Sequence, residues 1–437
     1  MFTYYFWLGL RALRRHRWLT GLTVMILSVG VAVSIAALTI LHLMSADPLP
    51  FKSDRVLTTV LDNGPSEGYR PGDQYVDHQM SYIDLMALLE RAPAMRKAGM
   101  YAVQSPVEMP RKELGVLSGM GVAGTLDWFG MLEIPFLAGQ PWSLQDDQRG
   151  AAVVVISKKF AAKLFGSEPA VGKNITMWGR PYQVAGVMDE WHVRPRFYLI
   201  NGRSGAFAND EDFVIPFRNA MQNEIPHAGG MSCSNRNDAS WKSLLESECT
   251  WLMFWAELKN ASDRPQLEAF LRAYQQEQEA HERFPRKAAV RVFNIREWLT
   301  ERKIVGAENK MAAWLASGFL LLCLVNAVGL LLARFSRRAA EVGVRRALGA
   351  SQIQIFFQFL TESAVMGIAG AIGGVLLSLL LLYLIGSQSA YLKVVTRMDW
   401  TMLGVTVLMS LSAAICAGVF PAWRACRVTP AIQLKSQ

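Results

Sequence analysis

Residues 337–351 read RRAAEVGVRRALGAS and set Arg337, Arg338, Glu341, Arg345 and Arg346 at helical spacing. On a helix, Ala340, Val344, Ala347 and Leu348 form an apolar stripe while Arg337, Arg338, Glu341 and Arg345 gather on another face. Glu341 stands four residues before Arg345, an ion-pair geometry worth only about 0.2–0.5 kcal/mol. That energy is too small to explain the arrangement. Gly349 supplies a stop for the helix. The plain role for such a segment is to rest on anionic headgroups, which needs arginines but no set order of Glu, Gly and Arg.

Other groupings that could carry chemistry fail on spacing. GSEPAVGKN (166–174) resembles a phosphate loop but has one residue too many between its glycines, and Asn174 replaces the hydroxyl residue that would bind Mg²⁺. It reads as a surface turn after a helix. AHERF (280–284) lacks the second histidine of a zinc-protease helix, and no G-x-S-x-G elbow occurs. The spacing of Ser, His and acidic residues promotes none of them to a triad. No catalytic, metal or cofactor site is therefore expected in the chain.

The elements that must position the arginine stretch are apolar. The chain has 437 residues, 51% of them hydrophobic. Four runs, 19–43, 311–333, 364–385 and 401–420, contain no Asp, Glu, Lys or Arg. Each reaches the roughly 20 helical residues needed to cross a hydrocarbon core about 30 Å thick. The first exceeds the roughly 7–15 residues of a secretory h-region, so it reads as a retained anchor. The arginine stretch lies between the second and third.

The net charge of +9 follows the same plan. Arg11, Arg14, Arg15 and Arg17 precede the first run; Arg334, Arg337, Arg338, Arg345 and Arg346 follow the second; Arg424, Arg427 and Lys435 follow the fourth. Twelve basic residues against the single acid Glu341 give these segments a surplus of eleven, which leaves about −2 for everything else. This asymmetry places both termini and the arginine stretch in the cytoplasm and segment 45–309 outside. Nucleic-acid binding then has no separate support. Residues 2–18 put Phe2, Phe6, Leu10 and Leu13 on one face, with Arg11, Arg14 and Arg15 displaced from it, as in an amphipathic helix lying in the inner interface.

The outer segment reads as a folded domain of mixed α and β structure. Strand patterns occur at 56–61, 151–156, 183–187, 213–216, 250–257 and 289–293, and helical patterns at 82–89, 158–165 and 266–281. The last strand, helix and strand read as a βαβ unit, which favours an α+β sandwich. Stretches 201–212 and 228–240 are rich in Gly, Ser and Asn, so 197–250 is expected to form an inserted subdomain. Cys323 and Cys416 lie in apolar runs and Cys426 on the inner side. Cys233 and Cys249 share the outer compartment, where they form a disulfide or remain two free thiols.

AEVGVRRALGAS, followed by QFLTESAVMG, resembles the coupling-helix region of MacB/FtsX-type ABC transporter permeases, now grouped as type VII. RALRRHRWLTGLTVMILSVGVAV is similar to that family's approach to its first span. GTLDWFGMLEIPFLAGQPW and AAVVVISKKFAAKLFGSEPAVGKNITMWGRPYQVAGVMD resemble its periplasmic core, and GVFPAWRACRVTPAIQL its C-terminal end. The likeness covers nearly the whole chain, in order; residues 197–250 match no part of it.

The resemblance implies an inner-membrane protein of four transmembrane helices (19–44, 310–334, 355–385 and 401–422) with a large α+β periplasmic domain (45–309) between the first two. Interfacial helix 1–18, coupling helix 335–354, short outer loop 386–400 and tail 423–437 complete it. It implies that Glu341, Gly343, Arg345, Arg346 and Gly349 meet a separate ABC ATPase, two copies of which bind the ATP and Mg²⁺. Fused MacB proteins carry their ATPase on the same chain, whereas only a short segment precedes the first span here. The chain itself is then a non-catalytic subunit that pairs with a second permease chain, identical or paralogous. Closure of the ATPases moves its outer domains, with an adaptor and an outer-membrane channel as companions. A FtsX-like activator of a cell-wall hydrolase, and lipoprotein release in the manner of LolC and LolE, share the same plan.

Overall fold

The computed structural model describes residues 17–62, 64, 66–67, 69–70, 78–108, 115–191, 193–200, 205–233, 238–388 and 400–426. The chain divides into two compact units, one covering Ala46–Ile304 and the other joining Met1–Ser45 to Val305–Gln437. The interfacial segment with Phe6, Arg11, Arg14 and Arg15 lies outside the described residues, as does the tail from 427.

Helix α1 (Arg17–Ser45) leads to the first unit, whose elements are β1 (Val56–Val60), α2 (Tyr82–Arg91), β2 (Arg96–Glu108), β3 (Val116–Gly124), α3 (Asp127–Met131), β4 (Phe136–Gly139), α4 (Leu144–Arg149), β5 (Val153–Ser157), α5 (Lys158–Phe165), β6 (Asn174–Met177), β7 (Arg180–Met188), β8 (Phe213–Pro216), α6 (Phe217–Gln222), α7 (Trp241–Glu246), β9 (Met253–Glu257), α8 (Arg264–Ala280), β10 (Arg291–Asn294) and α9 (Ile295–Glu301). The strands form one sheet in the order β10-β1-β9-β2-β3-β8-β5-β7-β4, with β6 pairing β2 and β7. The βαβ unit expected at the end is present in split form. β9 and β10 are both antiparallel to β1, so they run parallel to each other with β1 between them and α8 as the crossover.

The domain holds strands that the sequence pattern does not show, and one expectation about it needs correction. β2 and β3 form a long hairpin from Met100↔Gly124 to Glu108↔Val116 that the sequence pattern does not announce. β3 reads VLSGMGVAG, and its glycines weaken strand propensity. Gly121 is required there by packing, because a Cβ would come within 2.4 Å of the Phe213 carbonyl oxygen. The short strands β4 and β6 also went unread. Finally, 197–250 is not a separate insert: β8 lies between β3 and β5, and Phe197, Tyr198 and Phe207 are buried. The polar loops conceal apolar anchors on both sides.

The second unit holds α1 with α10 (Ala307–Ser336), α11 (Ala339–Ala347), α12 (Gln352–Gly386) and α13 (Trp400–Cys426). Of these, α1, α10, α12 and α13 contain stretches apolar and long enough to span a membrane. Small residues let the helices approach. Gly373 and Gly374 of α12 face Ser28 and Val31 of α1, where a Cβ on Gly374 would lie 2.9 Å from Val31. Ser28 Oγ donates to the Gly370 carbonyl (3.1 Å) and Ser34 Oγ to that of Ala316 (2.8 Å), which satisfies both hydroxyls inside the bundle.

Candidate functional site

The arginine stretch folds as the nine-residue helix α11 between α10 and α12. It ends where Leu348 caps it and Gly349 takes φ +96°, a left-handed conformation that glycine adopts without strain. The Ala350 N–H then returns to the Arg345 carbonyl at 3.0 Å. Ser351 caps α12, accepting from the Gln354 N–H while Gln354 Oε1 accepts from the Ser351 N–H.

The helix presents two faces, one bonded to α12 and one open. Arg338, Val342 and Arg345, at i, i+4 and i+7, turn toward the bundle. Arg338 Nη1 donates to both carboxylate oxygens of Glu362 (3.2 and 2.9 Å). Val342 joins a buried cluster with Leu331, Phe335, Ile355 and Phe359. Arg345 donates to Gln358 Oε1 (2.8 Å) and to Glu341 Oε1 (2.7 Å). On the other side, Val344 and Leu348 are exposed, as are Ala347 and Gly349. Gly343 and Arg346 are half-buried. The expected pairing of Glu341 with Arg345 is thus made, yet Arg345 also points into the hairpin and belongs to its clamp.

The sequence reading missed a cluster beneath this helix. Glu362 and Arg334 are each 2% exposed; Arg334 Nη2 donates to Glu362 Oε1, and its Nη1 to Thr20 Oγ1 of α1 (3.1 Å). One carboxylate therefore serves two guanidinium groups. Glu362 sits just before the third apolar run and Arg334 just after the second, so both look like ordinary flanking charges. The signal lay in helix phase: α12 starts at Gln352, which puts Glu362 inside a 35-residue helix rather than in a loop.

The domain has its own clamp where its chain enters and leaves. Glu257 of β9, 1% exposed in its side chain, meets Lys52 (3.2 Å) and Arg96 (2.7 Å). Lys52 also reaches Glu133 (2.9 Å). Arg296 of α9 pairs with Asp54 (3.0 Å), and the Ile295 N–H donates to the Ser53 carbonyl. Segment 47–55, after the first span, is thereby cross-tied to segment 291–296, before the second.

Cys233 and Cys249 are bonded, with sulfurs 2.07 Å apart. Beside Cys249, Glu248 accepts from Arg283 (2.6 Å), which also pairs with buried Asp84 (2.9 Å). Burial pushes the Asp84 carboxyl up, against the pull of Arg283, Ser81 and Tyr274. Segment 166–173 is a turn joining α5 to β6, in which Lys173 pairs with Glu168 (2.5 Å).

A family model for the MacB-like periplasmic core domain matches residues 20–274, and one for the FtsX-like permease C-terminal region matches 313–430. The chain belongs to the MacB/FtsX-type ABC permeases. The permease is 24% identical over 306 residues to the pyoverdine export ATP-binding/permease protein PvdT of Pseudomonas savastanoi pv. phaseolicola, covering 69% of this chain and 40% of that protein. The macrolide export ATP-binding/permease protein MacB of Bdellovibrio bacteriovorus is 24% identical over 298 residues, covering 67% and 40%. MacB of Pasteurella multocida is 23% identical over 379 residues, covering 86% and 52%. The permease thus spans 40 to 52% of the length of these relatives. The periplasmic region of MacB from Actinobacillus actinomycetemcomitans gives a TM-score of 0.36 at 12% identity, over 56% of this chain and 92% of that one. The extracellular domain of the ABC-type transporter YknZ from Gram-positive bacteria gives 0.34 at 14%, over 55% and 100%.

Proposed function

We propose that this permease works as a mechanotransmitter in the bacterial inner membrane. Its termini and α11 face the cytoplasm, and its large domain faces the periplasm. α11 docks on a separate ABC ATPase, two copies of which bind ATP and Mg²⁺ and serve a pair of permease chains. ATPase closure moves α11 and, through the spans, the outer domain, so that cargo is expelled from the periplasmic side without crossing through the bundle. The relatives' names, which specify pyoverdine and macrolide export, support an exported periplasmic cargo. The cargo is a peptide, an antibiotic, a siderophore or a lipid-linked molecule, with an adaptor and an outer-membrane channel to complete the path.

The observation that carries this reading is that two arginines of the α11 segment are bonded to α12. A helix resting on headgroups would hide Val344 and Leu348 in lipid and turn its arginines outward. Here Arg338 bonds to Glu362 and Arg345 to Gln358, both on α12, instead of turning to headgroups, and the face that carries Val344 and Leu348 offers an apolar surface suited to a groove on a protein partner.

The test is copurification of an ATPase from native membranes, followed by its loss in Val344→Asp and Leu348→Asp. Retention of the ATPase by both folded variants would remove the docking assignment. A copurifying cell-wall hydrolase or bound lipoprotein, in place of adaptor and channel, would redirect the output of the same device.

A further inference from the structure

We infer that Arg338, Arg334 and Glu362 form a transmission clamp, in which Arg338 is the positioning residue that makes α11 and the domain-bearing spans move as one body. The inference rests on the docking reading above and assigns a role to residues that do not touch the ATPase face.

Connectivity gives the cluster its meaning. α1 precedes the outer domain and α10 follows it, so these two helices carry the domain. Arg334 of α10 donates to Thr20 of α1 and to Glu362 of α12, and Arg338, at the start of α11, donates to the same Glu362. Four elements are therefore linked in one cluster: Glu362 of the third span holds Arg334 of α10 and Arg338 of the proposed docking helix, and Arg334 ties in Thr20 of α1. Glu362 lies ten residues into α12, about 15 Å along its axis, next to the onset of the apolar run.

The charge composition argues against a purely structural filler. Two guanidinium groups on one buried carboxylate leave an excess positive charge, and well-packed apolar side chains in such a place are often as stable or more so. Buried ionic groups at membrane helices mark function by default. What ions add here is directionality. Arg338 Nη1 lies within hydrogen-bond distance of both oxygens of Glu362, a charge-assisted tie between α11 and α12 that the packing of Val342 alone would not supply.

Arg338→Gln is the decisive variant because it leaves Arg334 and Glu362 as a matched pair and does not alter Val344 or Leu348. The permease–ATPase complex, in lipid nanodiscs, is followed by hydrogen exchange with and without a non-hydrolysable ATP analogue. In the wild-type complex, nucleotide changes exchange at the domain roots, 47–55 and 291–296. In Arg338→Gln the ATPase stays bound, and the nucleotide-induced change at the roots falls at least about fivefold, the lower end of ordinary coupling between two sites. Arg338→Lys keeps the charge without the guanidinium geometry and gives an intermediate response; it also serves if Arg338→Gln accumulates poorly. A merely structural role would lower stability and leave the response per bound nucleotide unchanged. A wild-type root response in Arg338→Gln with the ATPase bound overturns the clamp; absence of the ATPase from the wild-type complex overturns the docking reading instead.

Discussion

Val342 and Val344 stand two residues apart on α11 and face opposite ways, the first 5% and the second 58% exposed. The helix thereby separates what holds it in place from what it offers to a partner. Val342→Ala removes buried methyl groups from the cluster with Phe335 and Phe359 and should lower stability by about 1–2 kcal/mol. Val344→Asp should leave thermal unfolding of the permease within about 0.5 kcal/mol of wild type and abolish ATPase binding. The pair of measurements, unfolding temperature and copurified ATPase, should separate in opposite directions for the two valines.

Arg345 should matter to the hairpin before it matters to a partner. Reversal of Arg345 breaks its bonds to Gln358 and Glu341 and sets two carboxylates at i, i+4, so it disturbs the hairpin before any partner is met. The milder Arg345→Ala removes partly exposed bonds worth no more than about 1 kcal/mol, and most ATPase binding should survive it. Complete loss of the ATPase in Arg345→Ala, with the helix still folded by hydrogen exchange, would return the contact to the arginine itself.

The sequence made the four spans and the arginine helix legible because each rests on a local rule: apolar length for the spans, and helical phase with a following glycine for α11. Two elements in the middle of the domain were legible for the same reason; 213–216 and 158–165 occur as β8 and α5 within the expected bounds. The β2–β3 hairpin was not, because Gly119, Gly121 and Gly124 lower its local propensity, and the approach of Phe213 to Gly119 and Gly121 shows why those two are there. The Glu362 cluster was illegible for a different reason. Charges at the edges of apolar runs are ordinary, and their convergence depends on how α1, α10 and α12 pack. Local pattern also suggested that the arginines of α11 would face outward, whereas the carboxylate and amide on α12 draw Arg338 and Arg345 inward.

Glu257 should be the most sensitive polar position in the domain. Its carboxylate is the shared partner of Lys52 and Arg96, and Lys52 is itself nearly buried. Glu257→Gln keeps the shape but removes the charge, leaving the nearly buried Lys52 ammonium with Glu133 and the Gly130 carbonyl (3.3 Å), a loss of about 3 kcal/mol given that Arg96 can turn to water. Urea unfolding monitored by tryptophan fluorescence checks this. A change below about 1 kcal/mol would mean that Lys52 finds water too, and that the root of the domain is looser than its contacts indicate.

The Cys233–Cys249 bridge closes a loop of sequence separation 16, for which restriction of the unfolded chain gives about 3 kcal/mol. Peptide mass analysis without reductant should recover the two cysteines linked. Cys233→Ser should reduce domain stability by roughly that amount, and reductant should do the same to the wild type and nothing further to the variant. Two free thiols in protein purified without reductant would remove the bridge and the stability assigned to it.

High pH should unfold the domain through its buried phenols. Burial pushes the Tyr182 hydroxyl up to about 12, offset slightly by Arg180, and its hydroxyl donates to Asn219 Oδ1 at 2.7 Å. Tyr101, Tyr198 and Tyr274 are raised by burial as well. An unfolded tyrosine titrates near pH 10, so between that value and the folded one the unfolded chain gives up protons that the folded domain keeps. The stabilisation is complete below about pH 10 and is lost as pH climbs through 12. An ultraviolet absorbance titration should show exposed tyrosines ionising reversibly near 10 and a second, steeper step at about 12 or above, coincident with loss of near-ultraviolet circular dichroism. A single reversible step near 10 for every tyrosine, with the domain still folded, would show that these hydroxyls have a path to water that the packed sheet does not contain.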